Sequence, residues 1–321
     1  MMDQSTSTLT MLPTQASTIA PGYDLLFWVI TYLCVFFFVL IIGAGTYFVF
    51  KYRYRGGEHK VDTNHTHNTM LEITWSVLPL FLCIILFGWG FKLYLDFAIP
   101  PKDAIEIRVT GQKWVWNFEY DNGALSSKEF AVPLNKPVKL IMTSRDVLHS
   151  FFVPAFRTKM DVVPGRYTTL WFQATQQGPQ QVFCTEYCGT SHSDMLAKVH
   201  VLPEKEYEAW VEKHRDDPNA TPADKGKKIF NGKGGCVACH AVAADQAMPN
   251  IGPKLWQVFG RVEKLADGSQ VTVDENYVRE SIEYPNKQTV AGFAAGAMPT
   301  FKGVLSDQEI SDLIAYLKSL K

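Results

Sequence analysis

The stretch "CTEYCGTSHSDM", Cys184 to Met195, places two thiols, an imidazole and a thioether within one short segment. It follows the β-like run "QVFC" and leads directly into "LAKVHV". The soft ligands therefore lie in a loop between two strands, because alternating apolar residues mark half-buried strands. A disulfide between Cys184 and Cys188 would leave His192 and Met195 without a role. Zinc would accept two Cys and two His in a tetrahedron, but it has no use for a thioether. Thiolate, imidazole and thioether together favour copper. A mononuclear blue-copper centre takes one Cys, two His and an axial Met; this loop has one Cys too many and one His too few. Two thiolates can instead bridge two copper ions, each of which then needs one imidazole and one weak ligand. The loop offers His192, Met195 and the backbone carbonyl of Glu186, and a second imidazole must come from elsewhere. His149 in "RDVLHSFFVP" is the expected donor, read as a loop residue after the strand "KLIMTS". His200, within an alternating strand, and His214, in an exposed helix, read as structural or solvated.

Working outward, the β pattern runs from Ala104 to about Leu202. "AIEIRVT", "WVWNFEY", "PVKLIMT" and "RYTTLWF" are separated by turn signals such as Asp121-Asn122-Gly123 and Pro164-Gly165. Many short strands at this spacing predict a small sandwich or Greek-key barrel. A short helix, "PEKEYEAWVEKH", closes the unit, and "RDDPNATP" (Arg215 to Pro222) reads as a polar linker.

Upstream lie two long apolar runs. Leu25 to Phe50 and Ile73 to Phe91 contain no charged residue, and each approaches the ~20 residues needed to cross a bilayer core of ~30 Å. Helices are expected at about 24–50 and 73–95, with Pro79 a tolerated kink. The N-terminal segment has no Lys or Arg, so it does not read as a signal peptide. The loop between the runs carries Lys51, Arg53, Arg55 and Lys60. By the positive-inside rule this loop is cytoplasmic, and both termini lie on the extracytoplasmic side. That compartment is oxidising, so close cysteines there must be bonded or protected by a metal or cofactor. Cys34 and Cys83, inside the apolar runs, read as packing residues. His59, His65 and His67 read as a solvated loop. A net charge of −1 excludes a general nucleic-acid partner.

Downstream, Cys236-x-x-Cys239-His240 has the spacing of a c-type haem attachment site. Two thiols add across the porphyrin vinyl groups and the adjacent His ligates the iron. A distant Met is the usual sixth ligand. Met298 in "AGAMPTF" has enough chain to travel round the haem and is favoured over Met248, which lies close after His240. A terminal helix begins at Ser306, with Glu309 in capping-box spacing.

These residues resemble subunit II of the haem–copper cytochrome c oxidases, in the form with a fused C-terminal cytochrome c domain. The resemblance covers nearly the whole chain. It implies a two-helix transmembrane hairpin, an all-β cupredoxin-like Greek-key barrel and an all-α class I cytochrome c domain. The expected divisions are 1–22 for the N-terminal segment, 23–98 for the hairpin, 99–214 for the barrel, 215–222 for the linker and 223–321 for the haem domain. It implies a binuclear copper centre, CuA, on His149, Cys184, Glu186, Cys188, His192 and Met195. Haem c would be held covalently by Cys236 and Cys239, with His240 and Met298 axial. Trp114 in "GQKWVWNFEY" matches the family's residue for electron transfer towards copper, although barrel packing explains it too. Glu72 in "LEITW" matches a proton-pathway entrance, although a solvated helix end explains it too. The Glu186 side chain matches a ligand of Mg shared with the catalytic subunit.

The implied function is the subunit of a terminal cytochrome c oxidase through which electrons enter, in a bacterial cytoplasmic membrane. Expected partners are the haem–copper catalytic subunit I, other oxidase subunits, a cytochrome c or other redox donor, and membrane lipid. A CuA subunit of a nitric oxide reductase and a stand-alone membrane-tethered redox carrier are the alternatives.

Overall fold

The computed structural model describes residues 11–56, 67–215, 217, 219–246 and 251–320. Lys60, His59, His65 and Met248 lie outside the described residues. Two helices, α1 (Ala20–Tyr52) and α2 (Thr69–Ala98), form the hairpin. At 33 and 30 residues they outrun the apolar stretches that announce them. Pro21 is tolerated in the first turn of α1, where its missing N–H is not needed. Asn68 caps α2 by accepting from the Leu71 amide at 3.1 Å, and Pro79 lies inside α2 without ending it. Both helices present large apolar side chains outward along their spans. Both are long and apolar enough to cross a membrane, which makes this a two-pass membrane protein.

The barrel has ten strands: β1 (Ile105–Gln112), β2 (Val115–Tyr120), β3 (Leu125–Ser127), β4 (Glu129–Pro133), β5 (Pro137–Ser144), β6 (His149–Val153), β7 (Thr158–Val162), β8 (Thr168–Gln173), β9 (Gly178–Cys184) and β10 (Leu196–Leu202). They form two sheets in the orders β3-β2-β1-β5-β8 and β4-β10-β9-β6-β7. The β1–β5 and β4–β10 pairs are parallel, and the other pairs are antiparallel. In β5, Val138, Leu140, Met142 and Ser144 all point inward, as its alternation requires. The core is aromatic: Phe118 stacks on Phe130 at 4.2 Å, and Trp116, Phe151, Phe156 and Phe172 are fully buried. Helix α3 (Glu204–His214) closes the unit, with Val211 buried against the barrel core. His214, read as structural or solvated, is structural: it stacks on Trp210 with ring centroids 3.8 Å apart, because the two lie four residues apart on one helix face.

The N-terminal segment belongs partly to the barrel. Ala16 N–H donates to the Ala155 carbonyl at 2.9 Å and Thr18 N–H to the Gln173 carbonyl at 3.0 Å. Asp24, in the first turns of α1, pairs with Arg157 at 2.7 Å, and both side chains are nearly inaccessible. Helix and barrel are thus locked together at the edge of the apolar span.

The C-terminal unit packs α4 (Pro222–Asn231) across α6 (Asp307–Ser319), with α5 (Glu275–Glu283) beside them. Both α4 and α6 begin in complete capping boxes, Thr221/Asp224 and Ser306/Glu309. The helices cross at Gly226, where a Cβ would fall 1.9 Å from the Asp312 carbonyl oxygen. Phe230, Ile310, Leu313, Ile314 and Leu317 form the core. A small ribbon of β11 (Val262–Lys264) and β12 (Gln270–Thr272) adds to the helical frame.

Candidate metal centre and haem pocket

Strand β9 delivers Cys184 at its last residue, and the loop returns Met195 just before β10. Cys184 and Cys188 are unbonded, their sulfurs 3.9 Å apart. His149 Nδ1 lies 3.9 Å from Cys184 Sγ, and the Glu186 carbonyl oxygen 3.3 Å from it. His192 Nδ1 lies 3.4 Å from Cys188 Sγ, and Met195 Sδ 3.7 Å from it. All six expected ligands therefore converge, with nitrogen, sulfur and oxygen donors around a pair of thiols. His149, Cys184, Cys188 and Met195 are buried, His192 is half-buried and Glu186 is exposed. His149 is not a loop residue: it opens β6, paired with Val162 of β7, because the turn from Arg145 to Leu148 is tight.

The donor set fits bound copper. Metal–thiolate bonds are about 2.3 Å, so sulfurs 3.9 Å apart can share an ion. Without metal, the hydrogen bond from Cys188 first, then that from His149, pulls the Cys184 thiol down to about 3, while the same contact drives Cys188 up. Two thiolates this close would repel each other. A cation in that place removes the repulsion.

Asp146 sets the orientation of His149, and the sequence reading missed it. Its Oδ1 accepts from His149 Nε2 at 2.8 Å and from the Val147 amide at 2.7 Å, while Oδ2 accepts from the Lys113 amide at 2.7 Å. Burial opposes charge on both groups. The mutual hydrogen bond outweighs it, raising the imidazole's pKa and lowering the carboxyl's. This carboxylate–histidine pairing turns Nδ1 towards the sulfurs. The spacing Asp-x-x-His was the available signal. Gly111 lets β1 pass: a Cβ there would lie 3.1 Å from His149 Cδ2.

Trp114, 8% exposed, donates from Nε1 to the Cys188 carbonyl at 3.2 Å. Its ring also packs on Gly189, where a Cβ would lie 3.3 Å from Trp114 Cζ2 and a φ of +115° independently favours glycine. Glu72 is remote from these residues in sequence and exposed in the first turn of α2, where a carboxylate complements the helix dipole.

Cys236, Cys239, His240 and Met298 line one cavity of about 220 Å³, walled by apolar side chains including Val258, Ile282 and Leu313. The arrangement fits a haem. His240 Nδ1 donates to the Pro253 carbonyl at 2.7 Å, and burial holds the imidazole neutral, leaving Nε2 free for iron. Gly252 makes this possible, since a Cβ there would fall 2.6 Å from His240 Cε1. Burial lifts the free thiols to about 12 for Cys236 and about 11 for Cys239. Met298 packs against the helical core at the cavity wall.

Three family models match the chain in order. Residues 5–93 match the cytochrome c oxidase subunit II transmembrane domain, 124–202 its periplasmic domain, and 223–321 cytochrome c. Cytochrome c oxidase subunit 2 of Alkalihalophilus pseudofirmus is 33% identical over 300 residues, covering 88% of this chain and 83% of the relative. That of Bacillus sp. strain PS3 is 31% identical over 291 residues, covering 84% and 79%. Among solved structures, the periplasmic domain of subunit II of cytochrome oxidase of Bradyrhizobium japonicum is 33% identical. It covers 36% of this chain and 96% of that one, with a TM-score of 0.35.

Proposed function

Because this chain belongs to the cytochrome c oxidase subunit II family, and so to the subunits of an oxidoreductase complex, we propose that it is the subunit through which electrons enter a terminal oxidase. They pass from its own covalent haem c to its binuclear copper centre and on to a separate haem–copper subunit that reduces oxygen with proton pumping. The observation that carries this reading is the convergence of His149, Cys184, Cys188, His192, Met195 and the Glu186 carbonyl in a chain that also carries a haem cavity. Bound copper and haem supply one-electron chemistry; the chain supplies position, dryness and orientation.

Cys236 and Cys239 would tether the haem, and His240, oriented by the Pro253 carbonyl, and Met298 would ligate its iron. Trp114 links the surface turn at Lys113 to the backbone of Cys188. The exposed side chain of Glu186 would bind Mg at the boundary with the catalytic subunit. Glu72 opens a proton pathway from the loop side of the membrane. The barrel and haem domain face the extracytoplasmic side, where a cytochrome c or another donor reaches the haem. A tethered donor also acts at an effective concentration of order millimolar, without waiting for diffusion.

Purification of the intact complex from membranes, with optical and electron paramagnetic resonance spectra and turnover on oxygen and nitric oxide, tests the proposal. The expected result is a c-type haem, copper hyperfine structure from an electron shared by two nuclei, an accompanying haem–copper subunit and oxygen consumption. In Cys188→Ser the copper signal disappears while the haem c bands persist. Isolation without any catalytic subunit, or turnover of nitric oxide instead of oxygen, contradicts it.

A further inference from the structure

The haem cavity is not bounded by its own domain alone. Gln112, Lys113, Arg145 and Asp146 of the barrel form part of its wall, and Cys239 and Ile251 pack against the barrel core. Arg145 makes the directed contact. Its Nη1 donates to the Lys233 carbonyl at 2.9 Å, across 88 residues of sequence, and lies 3.4 Å from Gln112 Oε1. The Lys233 ammonium is turned away and held by both oxygens of Glu309, at 2.6 and 2.8 Å. The carbonyl of that residue, and not its charge, therefore faces the barrel. The haem-binding turn then comes very close: a Cβ on Gly235 would fall 2.2 Å from Gln112 Nε2 and 3.1 Å from Val115 Cγ1. Its φ of +62° independently favours glycine. Between Gln112 and Val115 lie Lys113, whose amide is held by Asp146, and Trp114, bonded to the Cys188 carbonyl.

We propose that Arg145 is a docking residue that seats the tethered haem domain on the barrel, holding the turn from Lys233 to Cys236 against Gln112 and Val115. The seat fixes the thioether edge of the haem pocket beside the Trp114 turn, so that transfer proceeds from a docked domain. This rests on the reading that the haem serves the copper centre. A guanidinium hydrogen bond to a carbonyl is stronger than a neutral one, and shortening the side chain removes it.

The test uses the intact oxidase complex. Haem c is photoreduced and the arrival of its electron at copper is followed; one electron leaves the haem iron, one is gained by the copper pair, and no atom moves. In Arg145→Ala the transfer slows by roughly tenfold, equivalent to about 1.4 kcal/mol, while Arg145→Lys, which keeps a donor, retains most of the wild-type rate. Hydrogen–deuterium exchange of residues 112–115 and 233–236 rises in Arg145→Ala, a readout independent of copper loading. Wild-type transfer together with unchanged exchange in Arg145→Ala overturns the docking role. Faster exchange in Arg145→Ala with no haem-to-copper transfer even in the wild type leaves the docking role standing and overturns the functional reading instead.

Discussion

Cys184 and Cys188 hold their sulfurs 3.9 Å apart, and the groups just behind them decide how well copper would be held there. Asp146 is the most consequential of these, because it holds both the His149 ring and the Lys113 amide. Asp146→Ala leaves His149 Nε2 without its acceptor and should lower copper affinity by roughly 10- to 100-fold, the usual cost of losing such a partner. Copper titration of the metal-free protein against a competing chelator measures this, and wild-type affinity in Asp146→Ala would remove the residue from the account. Asp146→Asn, which keeps an oxygen acceptor but not the charge, should fall between the two. The residues that converge at the two sulfurs were legible in the sequence because thiol, imidazole and thioether seldom gather without a soft metal. Asp146 was not, because carboxylates are common and only the fold shows which imidazole one faces. Gly252 was equally silent: its value is the space it leaves for His240.

Among the elements, the alternating strands β1, β2, β5, β8, β9 and β10 were readable, whereas β4 and β6 were not. Their burial explains why: four of the five residues in each are buried, on both faces, so the alternation that marks a half-exposed strand is absent. The helices of the hairpin were readable by their apolar runs but not to their ends: Asn68 caps α2 ahead of its run, and α1 starts ahead of its run, close to an ion pair with the barrel. That ion pair, Asp24 with Arg157, has a function of its own at this scale. Arg157 Nη1 also donates to the Pro154 carbonyl at 2.6 Å and Nη2 reaches the Pro13 carbonyl, so every turn around it is fixed by one guanidinium. Asp24→Ala strands that buried cation and should destabilise the hairpin–barrel junction by about 3–5 kcal/mol. Thermal unfolding of the detergent-solubilised protein should show the loss, with Asp24→Asn milder; an unchanged midpoint in Asp24→Ala would mean that the junction is held elsewhere.

For the whole molecule, three units were legible as a sequence of textures: apolar, alternating, then helical. Their arrangement was not, because the contacts that set it join residues far apart in the chain, such as Arg145 with Lys233 and Asp24 with Arg157. On the proposed function that arrangement would make a route of two sites: the cavity lined by Cys236, Cys239 and His240 also touches Lys113 of the barrel, next to Trp114, and Trp114 is bonded to the Cys188 carbonyl. The most direct measurement is time-resolved photoreduction of haem c in the intact complex, monitoring haem and copper absorbance together. Transfer within one chain predicts that haem reoxidation and copper reduction share one first-order rate that does not change with protein concentration. A rate proportional to protein concentration, or copper reduced by an external donor while haem c stays reduced, would contradict it.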